Sequence, residues 1–244
     1  MEFCAKKKLP RLAEGEEEAD GTCWVWIAYA SEHRLILAVV VGPRCQQRAT
    51  ELIECTAYVL NGQMPLFVSD GLDSYGVALL NRYHVTVTYP PTGKRGRPRC
   101  PEKKPIPELR YAQVVKKKEA RRLVSISKRI VYGDAQSIPQ QDINTSLIER
   151  LNLTLRRENS SLQRKTLSFA KEETALKAHL ALQVAYYHFV RPHLSLREEI
   201  SAEPENKSPC RWRKRTPAMA AKITDHLWSL PELLTFRPYK TSTN

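Results

Sequence analysis

The sequence predicts a mixed α/β domain, and three observations carry the prediction. Up to Tyr89, short apolar runs rich in β-formers alternate with stretches of helical period in the order strand, strand, strand, helix, strand, helix, strand. The run Leu35-Ile-Leu-Ala-Val-Val-Val41 is apolar on both faces, as a strand in the middle of a covered sheet must be. With 244 residues, 42% of them hydrophobic, the chain can bury a core that covers such a sheet.

Residues 1–8 form the tail of a first strand, followed by an acidic connector from Glu14 to Asp20. Cys23 to Ala28 and Leu35 to Val41 are two strands joined by the polar turn Ser31 to Arg34. Ala49, Leu52, Ile53, Thr56 and Leu60 recur at helical spacing and predict a helix over Gln46 to Leu60. Pro65 to Asp70 is the fourth strand, Ser74 to Tyr83 a helix, and Val85 to Tyr89 a fifth strand of the sheet. The first three strands meander, and the later ones cross over through helices.

Beyond Pro90 the character changes. Between Thr92 and Val131 there are fourteen Lys or Arg against three acids, most of the excess in a formal net charge of +13. Such a balance points to a polyanionic partner. Arg95-Gly96-Arg97-Pro98, flanked by Lys94 and Arg99, resembles an AT-hook, an extended peptide whose arginines enter the narrow minor groove of A/T-rich DNA. A basic solvated loop has the same composition. Leu109 to Val115 and Leu123 to Tyr132 then form a hairpin whose basic turn, Lys116 to Arg122, suits a phosphate backbone.

The segment Asp142 to Lys165 holds an acid, Glu149, among Arg150, Asn152, Arg156, Arg157, Arg164 and Lys165. Leu147, Leu151 and Leu155 make an apolar stripe, while Glu149, Asn152 and Arg156 fall on another face. Ser146-Leu-Ile-Glu149 also fits a capping box, in which the acid only ties down the first turn. Asp70 stands at the carboxyl end of a buried strand, where α/β sheets place functional groups, although Asp70-Gly71 also fits a plain turn. Two carboxylates from distant segments suit a hard cation such as Mg²⁺, which keeps several waters. A second helix runs from Glu172 to Val190, with Leu176, Leu180, Val184 and Tyr187 packed inward. His188 and His193 at its end are read as structural rather than as ligands. A Pro- and charge-rich connector over 202–217 leads to a short helix and turn, Pro217 to Leu234.

Six cysteines lie scattered without a C-x-x-C pair, which argues against a zinc module and a disulfide framework. No apolar run is long enough for a membrane span, and no signal peptide is visible, so a cytoplasmic protein is expected.

Glu149-Arg-x-Asn152-x-x-x-Arg156, followed by Leu162-x-Arg-Lys-Thr-x-x-Phe169, resembles the signature of bacterial insertion-sequence transposases of the IS-one type. Trp24-x-Trp-x-Ala28, Val41-Gly-x-Arg44, Ser69-Asp-Gly-x-x-x-Tyr75 and Arg215-Thr-Pro to Asp225-His226 resemble further segments of that family, so the likeness covers nearly the whole chain. It implies an RNase H-like DDE catalytic domain over 1–196, with a basic insertion at about 90–133, and a C-terminal extension over 197–244. It further implies Asp70 and Glu149 as the second and third catalytic acids, two Mg²⁺ ions, and hydrolysis at transposon ends followed by strand transfer into target DNA. Lys94, Arg95, Arg97, Arg99, Arg150, Asn152, Arg156, Arg164 and Lys165 are the expected DNA contacts, and self-association on two DNA ends is expected as well. The family's first Asp belongs on the first strand, at a position before Met1. Asp20 and Glu2 are poor substitutes, so a catalytically silent DNA-binding fragment, or a non-enzymatic basic nucleic-acid-binding protein, stands as an alternative.

Overall fold

The computed structural model describes residues 23–89, 99–120, 122–163, 167–168, 170–200 and 212–237, with backbone alone at residues 2–4 and Lys118. The chain is a mixed α/β fold with several small sheets and, among the described residues, six α-helices.

Strands β1 (Glu2–Cys4), β2 (Trp24–Ala30) and β3 (Leu35–Gly42) form an antiparallel meander in the order β1-β2-β3. Helix α1 (Gln46–Leu60) follows, with Ala49, Leu52, Ile53 and Thr56 buried at the predicted spacing. Its C-cap, Asn61, takes a left-handed conformation (φ 45°) from which its N–H reaches back to the Ala57 and Tyr58 carbonyls. Then come β4 (Leu66–Asp70), α2 (Asp73–Arg82), β5 (His84–Val87), β6 (Glu102–Pro105), β7 (Arg110–Glu119) and β8 (Arg122–Tyr132). Strand β4 pairs in parallel with β7, and β7 pairs antiparallel with β8, giving a second sheet in the order β4-β7-β8.

Two expectations change here. The fifth predicted strand, β5, does not join the sheet of β4 but pairs with β6 in a separate ribbon. The reason lies in burial: Val85 is exposed and β6 is exposed throughout, whereas Tyr111, Ala112, Gln113 and Val114 of β7 are buried on both faces and suit the central place. The hairpin turn is also shorter than predicted, since β7 runs on to Glu119 and β8 starts at Arg122. Lys116 therefore belongs to a strand and not to a turn.

Alternation along the strands divides the core into two sides. Trp26 and Val40 of the first sheet and Tyr111 of the second meet Leu52, Ile53, Tyr75 and Leu79 from α1 and α2. On the opposite side Val25, Ile27, Ile36 and Val41 pack on α3 (Ser146–Glu158) and α4 (Glu173–Ala185) through Ile148, Leu151, Leu155, Leu176 and Leu180. Ala112 and Val114 of the second sheet meet Ile138 and Ile143 from the loop before α3. The apolar stripe of α3 thus begins at Ile148 and not at Leu147, whose side chain is 39% exposed.

After α4 the chain makes a π-helical turn, Tyr186–Val190, and continues to β9 (Glu198–Glu199), β10 (Trp212–Arg213), α5 (Pro217–Ala220) and α6 (Leu230–Thr235). This last part docks on the π-turn through the Phe189 and Trp228 rings, 4.6 Å apart, and the Trp228 N–H bond to the Phe189 carbonyl. Among the described residues no helix is long and apolar enough to cross a membrane.

Candidate functional site

Asp70 is the last residue of β4 and lies beside Val114 of β7. Its neighbours on the strand fix the direction of its side chain. Phe67 packs on the α1/α2 side and Leu66 and Val68 on the other, so Asp70 shares the face of Leu66, Val68 and Val114. Asp70 Oδ1 accepts the Leu72 N–H at 3.3 Å, which closes the turn after the strand. A buried relay on the opposite face holds the same corner. Gln113 Nε2 donates to the Tyr111 hydroxyl (2.8 Å), Tyr111 and Ser69 share a hydrogen bond (2.7 Å), and Ser69 Oγ donates to the Asp70 carbonyl (2.7 Å). Burial pushes the Tyr111 phenol above its ordinary pKa, so it stays a neutral donor in this relay.

Glu149 lies in the first turn of α3. The capping box that Ser146 and Glu149 could form is absent: Thr145 is the N-cap without a capping bond from its own side chain, and Asn144 Oδ1 accepts the Ser146 N–H at 2.8 Å. Instead the Thr145 hydroxyl donates to Glu149 Oε1 at 2.8 Å, and the Lys116 ammonium forms an ion pair with the same oxygen. Glu149 is half exposed, so this carboxylate is open to solvent on one side.

Lys116 follows Ala112 and Val114 at the period of two that puts all three on one face of β7. That is the face of Asp70, which is in register with Val114. From strand spacing and rise, Asp70 and Lys116 stand about 8 Å apart at their backbones. The sheet edge, the helix start and one lysine therefore bring the two candidate acids to the same side of the second sheet. Lys116 is the residue beside the two acids that sequence reasoning did not single out. Its signal was present in the alternation of Ala112, Val114 and Lys116, but the residue was assigned to the turn.

In kind, the donors fit a hard cation: both are carboxylates, and one of them already holds a cationic group. Asn152, one turn beyond Glu149, is buried, and its Oδ1 has no hydrogen-bond partner among the described residues, an acceptor left for water. In number the set is small, since no three His, Cys, Asp or Glu side chains are grouped among the described residues. Glu2 is on β1 beside Trp26, and Asp20 lies outside the described residues.

The expected DNA contacts separate into groups. Lys94, Arg95, Arg97, Arg164 and Lys165 lie outside the described residues. Arg99 is exposed, stacks 3.8 Å over the Tyr89 ring and pairs with Glu102 at 3.7 Å. Arg150 is exposed, Arg156 half-buried and Asn152 buried. Further exposed cations line the same region of the chain: Lys103 and Lys104 on β6, Lys117 on β7, Lys128 and Arg129 on β8.

Neither histidine is placed as a ligand. His188 Nε2 accepts the Ile36 N–H of β3 at 3.0 Å, and burial lowers its pKa to about 4. His193 Nδ1 meets the Ser195 hydroxyl at 2.9 Å.

Compared with family models, curated proteins and solved structures, the chain matches none.

Proposed function

We propose that the chain is the catalytic region of an insertion-sequence transposase with an RNase H-like domain, in which Asp70 and Glu149 are two acids of a DDE centre acting on double-stranded DNA. The observation that supports this reading most is the convergence of the two acids. Residues 79 positions apart in sequence lie on one side of one sheet, at the carboxyl end of β4, beside a strongly basic hairpin.

In this reading Asp70 and Glu149 hold Mg²⁺. Such ions, when bound, activate the attacking hydroxyl and stabilise the leaving oxygen of a phosphodiester. The chain's own groups position the site. The Leu72 N–H and the Ser69 relay fix Asp70, and the Thr145 hydroxyl orients Glu149. The exposed lysines and arginines of β6, β7 and β8 hold the DNA backbone and steer it to the acids. The protein works in the cytoplasm as a multimer holding two DNA ends.

A second reading has its own support. Glu149 is engaged by Lys116, and no third acid is grouped with the pair among the described residues. Both features favour a DNA-binding form that occupies transposon ends without cutting them.

One experiment separates the two. The chain, alone and joined to an upstream strand that carries an Asp, is incubated in Mg²⁺ with duplexes bearing the terminal sequences of its element. Catalysis predicts that the extended chain releases 3′-hydroxyl ends, and that Glu149→Gln lowers the rate on the order of a thousandfold with melting temperature and DNA affinity unchanged. Cleavage retained in Glu149→Gln sinks the catalytic assignment. Binding by both chains without cleavage by either leaves the second reading.

A further inference from the structure

We infer that Lys116 is an internal counter-ion of the acid pair, an ammonium that neutralises Glu149 and competes with a divalent cation for it. The inference rests on the reading of Asp70 and Glu149 as cation ligands.

The placement of Lys116 is specific. On one face of β7, Ala112 and Val114 are buried under Ile138 and Ile143, and Lys116 is the next residue on that face. There the core ends and α3 begins, so the ammonium emerges against the first turn of the helix and meets Glu149 Oε1. Lys117 cannot take its place. It points to the other face and pairs with Glu119 at 3.1 Å.

Charge explains what the lysine does. Two carboxylates on one side of a sheet repel, and a cation between them relieves the repulsion. Asp70, Lys116 and Glu149 together carry a net charge of −1, and without the lysine the set carries −2. A divalent cation that takes Glu149 Oε1 competes with the ammonium for that oxygen. Both partners are partly exposed, 31% for Lys116 and 52% for Glu149. An ion pair that is this open shifts an equilibrium by only about fivefold. Lys116 thus sets a threshold rather than a block. It keeps Glu149 paired at low metal concentration and yields when the doubly charged ion arrives.

The test is a titration of the full chain with Mn²⁺, followed by the electron paramagnetic resonance signal of the free ion. Lys116→Met should bind Mn²⁺ about fivefold tighter than the unmodified chain, and Lys116→Arg should match the unmodified chain. Lys116→Gln serves as the neutral variant if the methionine protein fails to fold by circular dichroism. Glu149→Gln should remove the gain in either neutral background. A Kd that changes less than twofold in both neutral variants overturns the inference. So does a gain that persists with Glu149→Gln. If Mn²⁺ binding depends on Glu149 but not on Lys116, the inference fails while the acids remain ligands. If neither the unmodified chain nor any variant binds Mn²⁺, the ligand reading fails with it.

Discussion

Glu149 shows how little a residue's own neighbourhood settles. Ser146 and Glu149 have the spacing of a capping box, yet the helix starts from Thr145 and the carboxylate turns to the Thr145 hydroxyl and to Lys116. A carboxylate gains more from a charged donor than from a neutral amide, and β7 delivers such a donor. Its neighbours on α3 divide by burial in a way that substitution can measure. Ile148 is 3% exposed among Leu151, Leu155 and Leu180, so Ile148→Ala should cost about 2–5 kcal/mol in denaturant unfolding. Leu147 is 39% exposed, and Leu147→Ala should cost about 1 kcal/mol or less. Equal losses at the two positions would mean that the helix is rotated from the placement described.

At the scale of elements, the β7–β8 hairpin is the part that a basic composition alone leaves without shape. Its strands extend to Glu119 and from Arg122, and from Lys116 onward its pairing continues past the residues that cover the sheet. Exposed Lys117 stands on this arm, Lys128 stands at its base beside Val114, and Lys104 stands on β6. If the arm lies on a phosphate backbone, the triple variant Lys104→Ala, Lys117→Ala, Lys128→Ala should flatten the slope of log K against log salt by roughly 2.7, about 0.9 per contact. Fluorescence anisotropy on a labelled duplex at several salt concentrations reads that slope directly, and an unchanged slope places the DNA elsewhere. Helix and strand positions such as Gln46 to Leu60 were legible because the period of apolar residues is local. The partner of β4 was not, since β5 and β7 are both β-prone and only burial on two faces selects β7.

For the whole molecule, α1 and α2 cover one side of the core, α3, α4 and the loop before α3 cover the other, and polar ties join helix to sheet. One of them is pH-sensitive. His188 Nε2 accepts the Ile36 N–H, so the π-turn after α4 is fixed to β3 only while the ring is neutral. Its folded pKa, about 4, lies below the ordinary value of 6.5. Above pH 6.5 the ring is neutral in both folded and unfolded chains, and the tie contributes in full. As pH falls from 6.5 to 4 the unfolded chain takes up a proton that the folded one refuses, and stability falls by roughly 3 kcal/mol. Urea unfolding at pH 7 and pH 4.5 should show this loss. His188→Gln, whose carbonyl oxygen can still accept the Ile36 N–H, should flatten it, and an equal slope in the variant would assign the loss to other groups.

By itself the sequence determined the α/β class, helices α1 to α4, the strands up to β8 other than β6, the basic stretch beyond Pro90, and both candidate acids. These follow from local period and local charge, which a chain carries in adjacent residues. Tertiary structure alone decided which strands pair, that Asn152 is buried, and that Lys116 faces Glu149 across 33 residues. Such contacts depend on which faces bury together, and the energy that chooses among them comes from packing across the whole core rather than from any one segment.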